Sequence, residues 1–285
     1  MEAIDYEAEY NNRARVPEHP EIFARWGRDA AAYRAEAVAE GRAELHLAYG
    51  PSPRQTIDLF APNAGSGAAP LALFIHGGYW RSLEPAQFSH VARGLNERGF
   101  CVAVAGYDLC PQVKIADIIA QMRQACIYLW RRFGRRPLVF GHSAGGHLTA
   151  CMVATDWKTL ASDLPADLAP AGFSLSGVFD LTPLVGVSMN QDLRLTQEEA
   201  RAASPLFWPV APGRALDSWC GALESSEFRR QNRIILDGWT PAGADVTARE
   251  VADANHFTIL DPLAEPDSAM VARLVQLAER MHAPA

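Results

Sequence analysis

The segment Val139–Leu148, V-F-G-H-S-A-G-G-H-L, constrains the fold more than any other part of the chain. Its core, Gly141-His142-Ser143-Ala144-Gly145, has the form G-x-S-x-G, in which a buried strand ends, the chain turns sharply and a helix opens with the serine at the apex. The residue types follow from that geometry. A serine held between a strand and a helix that pass close together leaves no space for side chains two positions away on either side, so both flanking positions are glycine. The N–H of Ala144 then lies at the helix N-terminus, where unpaired donors and the helix dipole favour negative charge developing on an oxygen. Pro137-Leu138-Val139-Phe140 is a short apolar run suited to a buried parallel strand, and the residues from His147 to Ala154 continue as a helix. Ser143 is therefore the candidate nucleophile, and Ala144 a candidate oxyanion donor.

The rest of the chain alternates strands and helices around this turn. Glu44 to Tyr49 and Gln55 to Phe60 predict an antiparallel hairpin closed at Gly50-Pro51-Ser52-Pro53. A loop over Ala61 to Pro70 leads to the apolar strand Leu71 to Ile75, followed by a helix from Pro85 to Arg98 that stops at Gly99. Cys101 to Ala105 is the next strand, and Ile115 to Phe133 is a long helix before the elbow strand. Beyond the elbow come a strand at Gly172 to Ser176, an irregular proline-punctuated stretch from Asp180 to Pro212, and a strand at Ala215 to Gly221 that Asp217 and Ser218 interrupt. A helix at Glu227 to Asp237, a last strand at Val246 to Val251 and a helix at Val271 to Met281 complete the series. The alternation predicts an α/β fold, a mostly parallel central sheet with helices on both faces. Before about Glu40 the pattern is helical without strands, with Glu21 to Trp26 and Arg28 to Glu40 at helical spacing and Pro17 and Pro20 separating them from the stretch before. With 285 residues, 49% of them hydrophobic, the expectation is one domain spanning 1–285, in which residues 1–40 are a helical arm laid across the remainder as a candidate lid.

A serine on such a turn needs a base, and the base an orienting acid, in the chain order serine, acid, histidine. Of eight histidines, six precede or crowd the elbow or lie in the N-terminal arm, and His282 is terminal. His256, in the loop Ala252-Asp253-Ala254-Asn255-His256-Phe257 after the last strand, is where the base belongs. Glu224 follows the penultimate strand, where a carboxylate reaches the imidazole from the C-terminal edge of the sheet; Asp180 is the alternative acid. His76-Gly77-Gly78 follows the third strand, so Gly78, assisted by Gly77 or Tyr79, is the second candidate oxyanion donor. Tyr79 and Trp80 are read as aromatic walls of the substrate pocket, with His142 beside the nucleophile.

Other chemistries find less support. There is no H-E-x-x-H, no C-x-x-C and no G-x-G-x-x-G after a strand, so neither a metal nor an organic cofactor is expected. A net charge of −7 disfavours nucleic acid, and the Arg131, Arg132, Arg135 and Arg136 cluster closes a helix whose dipole it complements. Five scattered cysteines read as free thiols in a reducing compartment. No signal-peptide pattern and no membrane-length apolar run is seen, so a cytoplasmic protein with no membrane partner is expected.

At this point the chain resembles the kynurenine formamidase (arylformamidase) branch of the α/β-hydrolases. That branch carries an H-G-G-x-W loop, matched by His76-Gly77-Gly78-Tyr79-Trp80. Glu224-Ser225-Ser226-Glu227-Phe228-Arg229-Arg230-Gln231 is similar to its D-S-P-E-F-x-R-Q acid motif, and Asn255-His256-Phe257 to its D-H-F segment. Two positions depart from the pattern: glutamate stands for aspartate at 224 and serine for proline at 226. The resemblance implies an α/β-hydrolase fold and a serine hydrolase that acts on N-formyl-kynurenine or another small aromatic amide or ester. A small-ester carboxylesterase is the nearest alternative, a non-catalytic binding module the alternative of another class, and a homodimer is left open.

Overall fold

The short apolar runs of the sequence become the centre of an eight-stranded sheet in the computed structural model, which describes residues 4–63 and 69–282. The middle of the loop expected between Ala61 and Pro70 lies outside the described residues. The strands are β1 (Ala43–Ala48), β2 (Thr56–Phe60), β3 (Leu71–Ile75), β4 (Cys101–Ala105), β5 (Leu138–His142), β6 (Ala171–Leu175), β7 (Ala215–Gly221) and β8 (Asp245–Val251), in the order β1-β2-β4-β3-β5-β6-β7-β8. β2 runs antiparallel to both β1 and β4, and every other pairing is parallel. The neighbours β4 and β3 run in reverse chain order, so the connections diverge from β3 towards the two edges. The carboxyl ends of β3 and β5 there face a common crevice, the position at which open α/β sheets bind ligands.

The helices are α1 (Tyr6–Tyr10), α2 (Asn12–Arg15), α3 (His19–Ala39), α4 (Arg93–Glu97), α5 (Ile115–Phe133), α6 (Ala144–Ala154), α7 (Asn190–Leu193), α8 (Gln197–Ala202), α9 (Ser226–Trp239) and α10 (Ala269–His282). Strand alternation decides which of them each residue meets. Leu71, Leu73 and Ile75 of β3 join the cluster that contains Ile118, Met122 and Leu129 of α5, whereas Ala72 and Phe74 join the one that contains Trp26 of α3 and Leu274 of α10. All five residues of β3 are buried because both faces are covered.

Three expectations change. The two helical stretches of the arm are one helix, α3, which runs through Gly27 with Pro20 tolerated in its first turn and buries Ile22, Trp26, Ala30, Tyr33 and Ala37 along one stripe. The helix expected from Pro85 to Arg98 winds as a 3₁₀ helix over Pro85–Ala92 before α4, and Gly99 ends it at φ 87°. β7 is not interrupted: all seven residues are buried, because Arg273 of α10 donates to Asp217 at 2.6 and 3.0 Å and the Ser218 hydroxyl donates to Asn232 of α9 at 2.7 Å. The five cysteines are free, and among the described residues no helix is long and apolar enough to cross a membrane.

Candidate active site

β5 delivers the elbow. Ser143 stands between β5 and α6 at φ 57° and ψ −115°, a conformation that L-residues rarely adopt and that marks strain held by the surrounding structure. Its N–H donates to the Leu175 carbonyl at 2.7 Å, which ties the turn to β6. A Cβ at Gly145 would lie 1.8 Å from the Ile75 carbonyl oxygen, and one at Gly141 would lie 2.4 Å from that of Gly145, so any side chain at either position would force strand and helix apart. Ala144 is the first residue of α6, and its N–H has no partner within the helix.

The loop after β8 brings His256 to this serine. Asn255 shapes that loop by accepting from the N–H groups of Phe257 and Thr258, both at 2.9 Å. His256 Nε2 lies 3.1 Å from Ser143 Oγ, and Nδ1 lies 2.7 Å from Glu224 Oε2. A carboxylate only accepts, so Nδ1 carries the proton and Nε2 is left to accept from the serine hydroxyl. The other oxygen of Glu224 accepts from the Ser176 hydroxyl and the Gly221 N–H, both at 2.6 Å. Its side chain is fully buried. The Asp180 carboxylate instead accepts from the N–H and hydroxyl of Thr182 in its own turn. His142 adds a contact that its sequence position did not reveal: its Nε2 donates to the His256 carbonyl at 2.7 Å, and the two rings lie 4.8 Å apart. Burial, with His256 beside it, holds the His142 imidazole well below the ordinary histidine range, so it stays neutral and fixes the loop that carries His256. Ser176, at φ 53° just past β6, was also missed, since a lone serine after a strand carries no local signal.

The loop after β3 supplies the opposite wall. Arg81 N–H donates to the Gly78 carbonyl at 3.1 Å, and Tyr79 and Trp80 between them have φ of 50° and 55°, a turn that sends consecutive side chains apart. Tyr79 stays in the cleft, where its hydroxyl donates to the Tyr10 carbonyl at 2.7 Å. Trp80 does not line the pocket, contrary to the sequence expectation. It is completely buried, edge-on against His147 at 5.0 Å. Gly78 lines the cleft at φ 106°, and among the described residues no hydrogen bond takes its N–H. Gly77 lies behind it, so close that a Cβ would come within 3.1 Å of Ser143 Cβ. His76 anchors the loop. Its Nδ1 donates to the Gly77 carbonyl at 2.7 Å, its ring stacks on Tyr107 at 4.3 Å, and burial lowers its pKa to about 4.

These residues meet in a cleft enclosing about 700 Å³, part of it open solvent, within the size range of small-molecule sites. The aromatic wall opposite Tyr79 comes from Phe23 and Trp26 of α3 and from Phe257. Phe23 stacks on Trp26 at 5.1 Å and meets Phe257 edge-on at 5.0 Å. Tyr10, Asn11, Asn12 and Arg13 of the N-terminal arm also line the cleft.

Residues 57–204, which include the elbow and the loop after β3, match the BD-FAE family model. The chain belongs to the BD-FAE family. It is 26% identical over 244 residues to the kynurenine formamidase of Danio rerio, a match that spans 82% of this chain and 81% of that protein. The kynurenine formamidase of Salmo salar is 28% identical over 243 residues, with the same shares. A solved structure of a candidate thioesterase from a Silicibacter species superposes with a TM-score of 0.83 at 30% identity, covering 96% of this chain and 100% of that one. The fold is that of the α/β-hydrolases, and the BD-FAE chain is a hydrolase.

The two departures at 224 and 226 acquire a physical account in this BD-FAE member. The longer Glu224 side chain spans from the Gly221 turn to His256 while keeping three hydrogen bonds. Ser226, at the first position of α9, donates its hydroxyl to Glu9 of the arm at 2.7 Å, and the same carboxylate oxygen accepts from the Glu227 N–H at 2.9 Å. Glu227 in turn accepts from the Tyr10 hydroxyl at 2.9 Å, and Gln231 donates to that hydroxyl at 2.8 Å. The arm is thus fastened to the helix that begins two residues after Glu224.

Proposed function

We propose that this chain hydrolyses small aromatic amides, N-formyl-kynurenine or another aryl formamide foremost, by acyl-enzyme chemistry at Ser143. The observation that carries the reading is the hydrogen-bonded line Ser143–His256–Glu224 at the floor of an aromatic-walled cleft, and the formamidase names of its relatives support the substrate class. His256 Nε2 takes the hydroxyl proton as Ser143 Oγ attacks the carbonyl carbon, and the imidazolium is stabilised by Glu224. The N–H groups of Ala144 and Gly78, with Gly77 in support, hold the oxyanion. One such donor contributes about 10²- to 10³-fold in rate. His256 then protonates the departing amine, the C–N bond breaks, and the acyl group stays on Ser143. Water, deprotonated by the same imidazole, releases the acid and restores the hydroxyl. These steps use only groups of this chain and water.

Residues 1–285 are read as one domain, with residues 1–40 as the arm and lid. The free cysteines support a cytoplasmic setting. The test is kcat/KM for formyl, acetyl and butyryl derivatives of one aryl amine and one phenol, with Ser143→Ala as the blank. The formamidase reading expects a steep fall from formyl to butyryl. Faster turnover of butyryl esters than of formyl compounds would replace it with a general carboxylesterase. Turnover that survives in Ser143→Ala would remove the nucleophile assignment altogether.

A further inference from the structure

A second hollow lies between the N-terminal half of α5 and residues 193–208, and it shares no lining residue with the catalytic cleft. It encloses about 620 Å³, part of it open solvent. Its floor is aliphatic, from Ile115 and Ile119 of α5 and from Leu193 and Leu195. Among the described residues no serine, cysteine or histidine lines it, so it can hold a molecule but is not built for acyl transfer. Its charges do not balance. Lys114 and Glu199 pair with each other at one end, but Arg123 and Arg194 also line the hollow, and among the described residues no carboxylate pairs with either. Arg194 is exposed at the rim, whereas Arg123 is half-buried. The Arg123 Nε donates to the Thr155 hydroxyl at 3.1 Å, and the guanidinium lies over the Trp208 ring, 5.5 Å from the centroid. The side chain is thereby fixed, while among the described residues no hydrogen bond takes its terminal nitrogens. Burial lowers its pKa from the ordinary arginine value, and the nearby Cys151 thiol is kept neutral by its own burial. A cation half out of water without a counter-charge is costly until an anion meets it.

We infer that this hollow is a binding site for a medium-chain alkyl carboxylate, its head on the Arg123 fork and its tail along Ile119 and Ile115. These three side chains stand four residues apart and form one row on α5, apolar, apolar and cationic, about 12 Å long at the helical rise. The planar guanidinium with its terminal donors free suits a bidentate carboxylate. The aliphatic floor selects the tail, since a fully hydrated anion such as phosphate would leave it uncovered. A flat ring finds no open aromatic face, because Arg123 occupies that of Trp208, the one ring among the described lining residues. The Lys114–Glu199 pair at the far end limits the length of the tail. The site stands independently of the reaction proposed at Ser143.

The experiment is calorimetric titration of the full-length protein with octanoate, butyrate, octanamide and octylammonium. Octanoate is expected to bind about tenfold or more tightly than octanamide, as hydrogen bonds to a charged group imply. Butyrate should be weaker by about fourfold for each missing methylene that octanoate buries, and octylammonium should not bind. Arg123→Gln should erase the preference for octanoate over octanamide, and Arg123→Lys should keep part of it. Ala116→Trp and Ala202→Trp, at exposed lining positions, leave Arg123 in place and should fill the mouth and abolish octanoate binding with the urea midpoint unchanged. These two variants decide the matter if Arg123→Gln does not fold. Absence of octanoate binding in the parent, or equal binding of octanoate and octanamide, overturns the inference. So does octanoate binding that persists unchanged in Arg123→Gln or in both tryptophan variants, which would place the ligand elsewhere on the molecule.

Discussion

Ser143, His256 and Glu224 lie 32 to 113 positions apart in the chain and within hydrogen-bond reach in space, so each can be tested by a change that leaves the other two in place. On the proposed mechanism Glu224→Gln removes the charge that stabilises the imidazolium, while its amide oxygen can still accept from Ser176 and Gly221 and its amide nitrogen faces His256 Nδ1. We expect kcat to fall by about 10³- to 10⁴-fold, as expected when a triad carboxylate becomes an amide. Asp180→Asn, whose carboxylate only closes its own turn, should stay within a few-fold of the parent in the same steady-state assay. Trp80 is the opposite kind of residue. Because it is buried against His147 and outside the cleft, Trp80→Ala should cost about 3 to 5 kcal/mol in urea unfolding. A selective loss on aryl leaving groups, with stability intact, would put the ring back in the pocket.

At the scale of elements, the informative contact is between α1 and α9. Burial raises the pKa of Glu9, while the Ser226 hydroxyl, the Glu227 N–H and Arg15 lower it, and the net position is below the ordinary 4.5. A group whose folded pKa is depressed stabilises the docked state fully above its unfolded value, and that contribution is lost as pH falls through the folded one. Amide exchange of residues 5–12, corrected for intrinsic rates, should therefore rise as pH drops below about 4.5 in the parent. In Glu9→Gln it should be raised already at neutral pH. Ser226→Pro is the sharper variant, because proline is well tolerated at the first position of a helix while the hydroxyl that holds Glu9 disappears. Stability should change by less than about 1 kcal/mol, and KM should rise a few-fold. An unchanged KM would show that the arm is held without this contact.

Over the whole molecule, the sheet and the arm divide the work. Parallel strands bring the ends of β3, β5, β6 and β7 to one edge, where the Gly77-Gly78 loop, Ser143, Ser176 and Glu224 follow them in turn, and the loop after β8 adds His256. None of these elements needs α1 or α2 for its own pairing. A chain that starts at Glu18 should therefore keep its far-ultraviolet circular dichroism and its cooperative unfolding. It should lose substrate affinity, because Tyr10, Asn12 and Arg13 leave the cleft wall. If truncation abolished cooperative unfolding, the arm would belong to the core and would not be a cover.

What was legible in the sequence is what short-range physics determines. The apolar runs Leu71 to Ile75 and Cys101 to Ala105 and the long helix Ile115 to Phe133 form where their patterns place them, and the elbow glycines mark a close approach that any substituent would block. Chain order singled out His256, and the structure places it within hydrogen-bond reach of Ser143 because loops after late strands reach the same edge. Decisions between neighbours were not legible. Tyr79 and Trp80 share composition and setting, and the turn that separates them depends on backbone angles that only the packed loop imposes. Asp217 and Ser218 looked like interruptions because their partners, Arg273 and Asn232, come from helices later in the chain. Phe23 and Trp26 reach the cleft because α3 buries its apolar stripe against the 3₁₀ helix and one face of the sheet, and Arg13 because the short helices before α3 dock on α9, placements that depend on surfaces assembled from the whole fold.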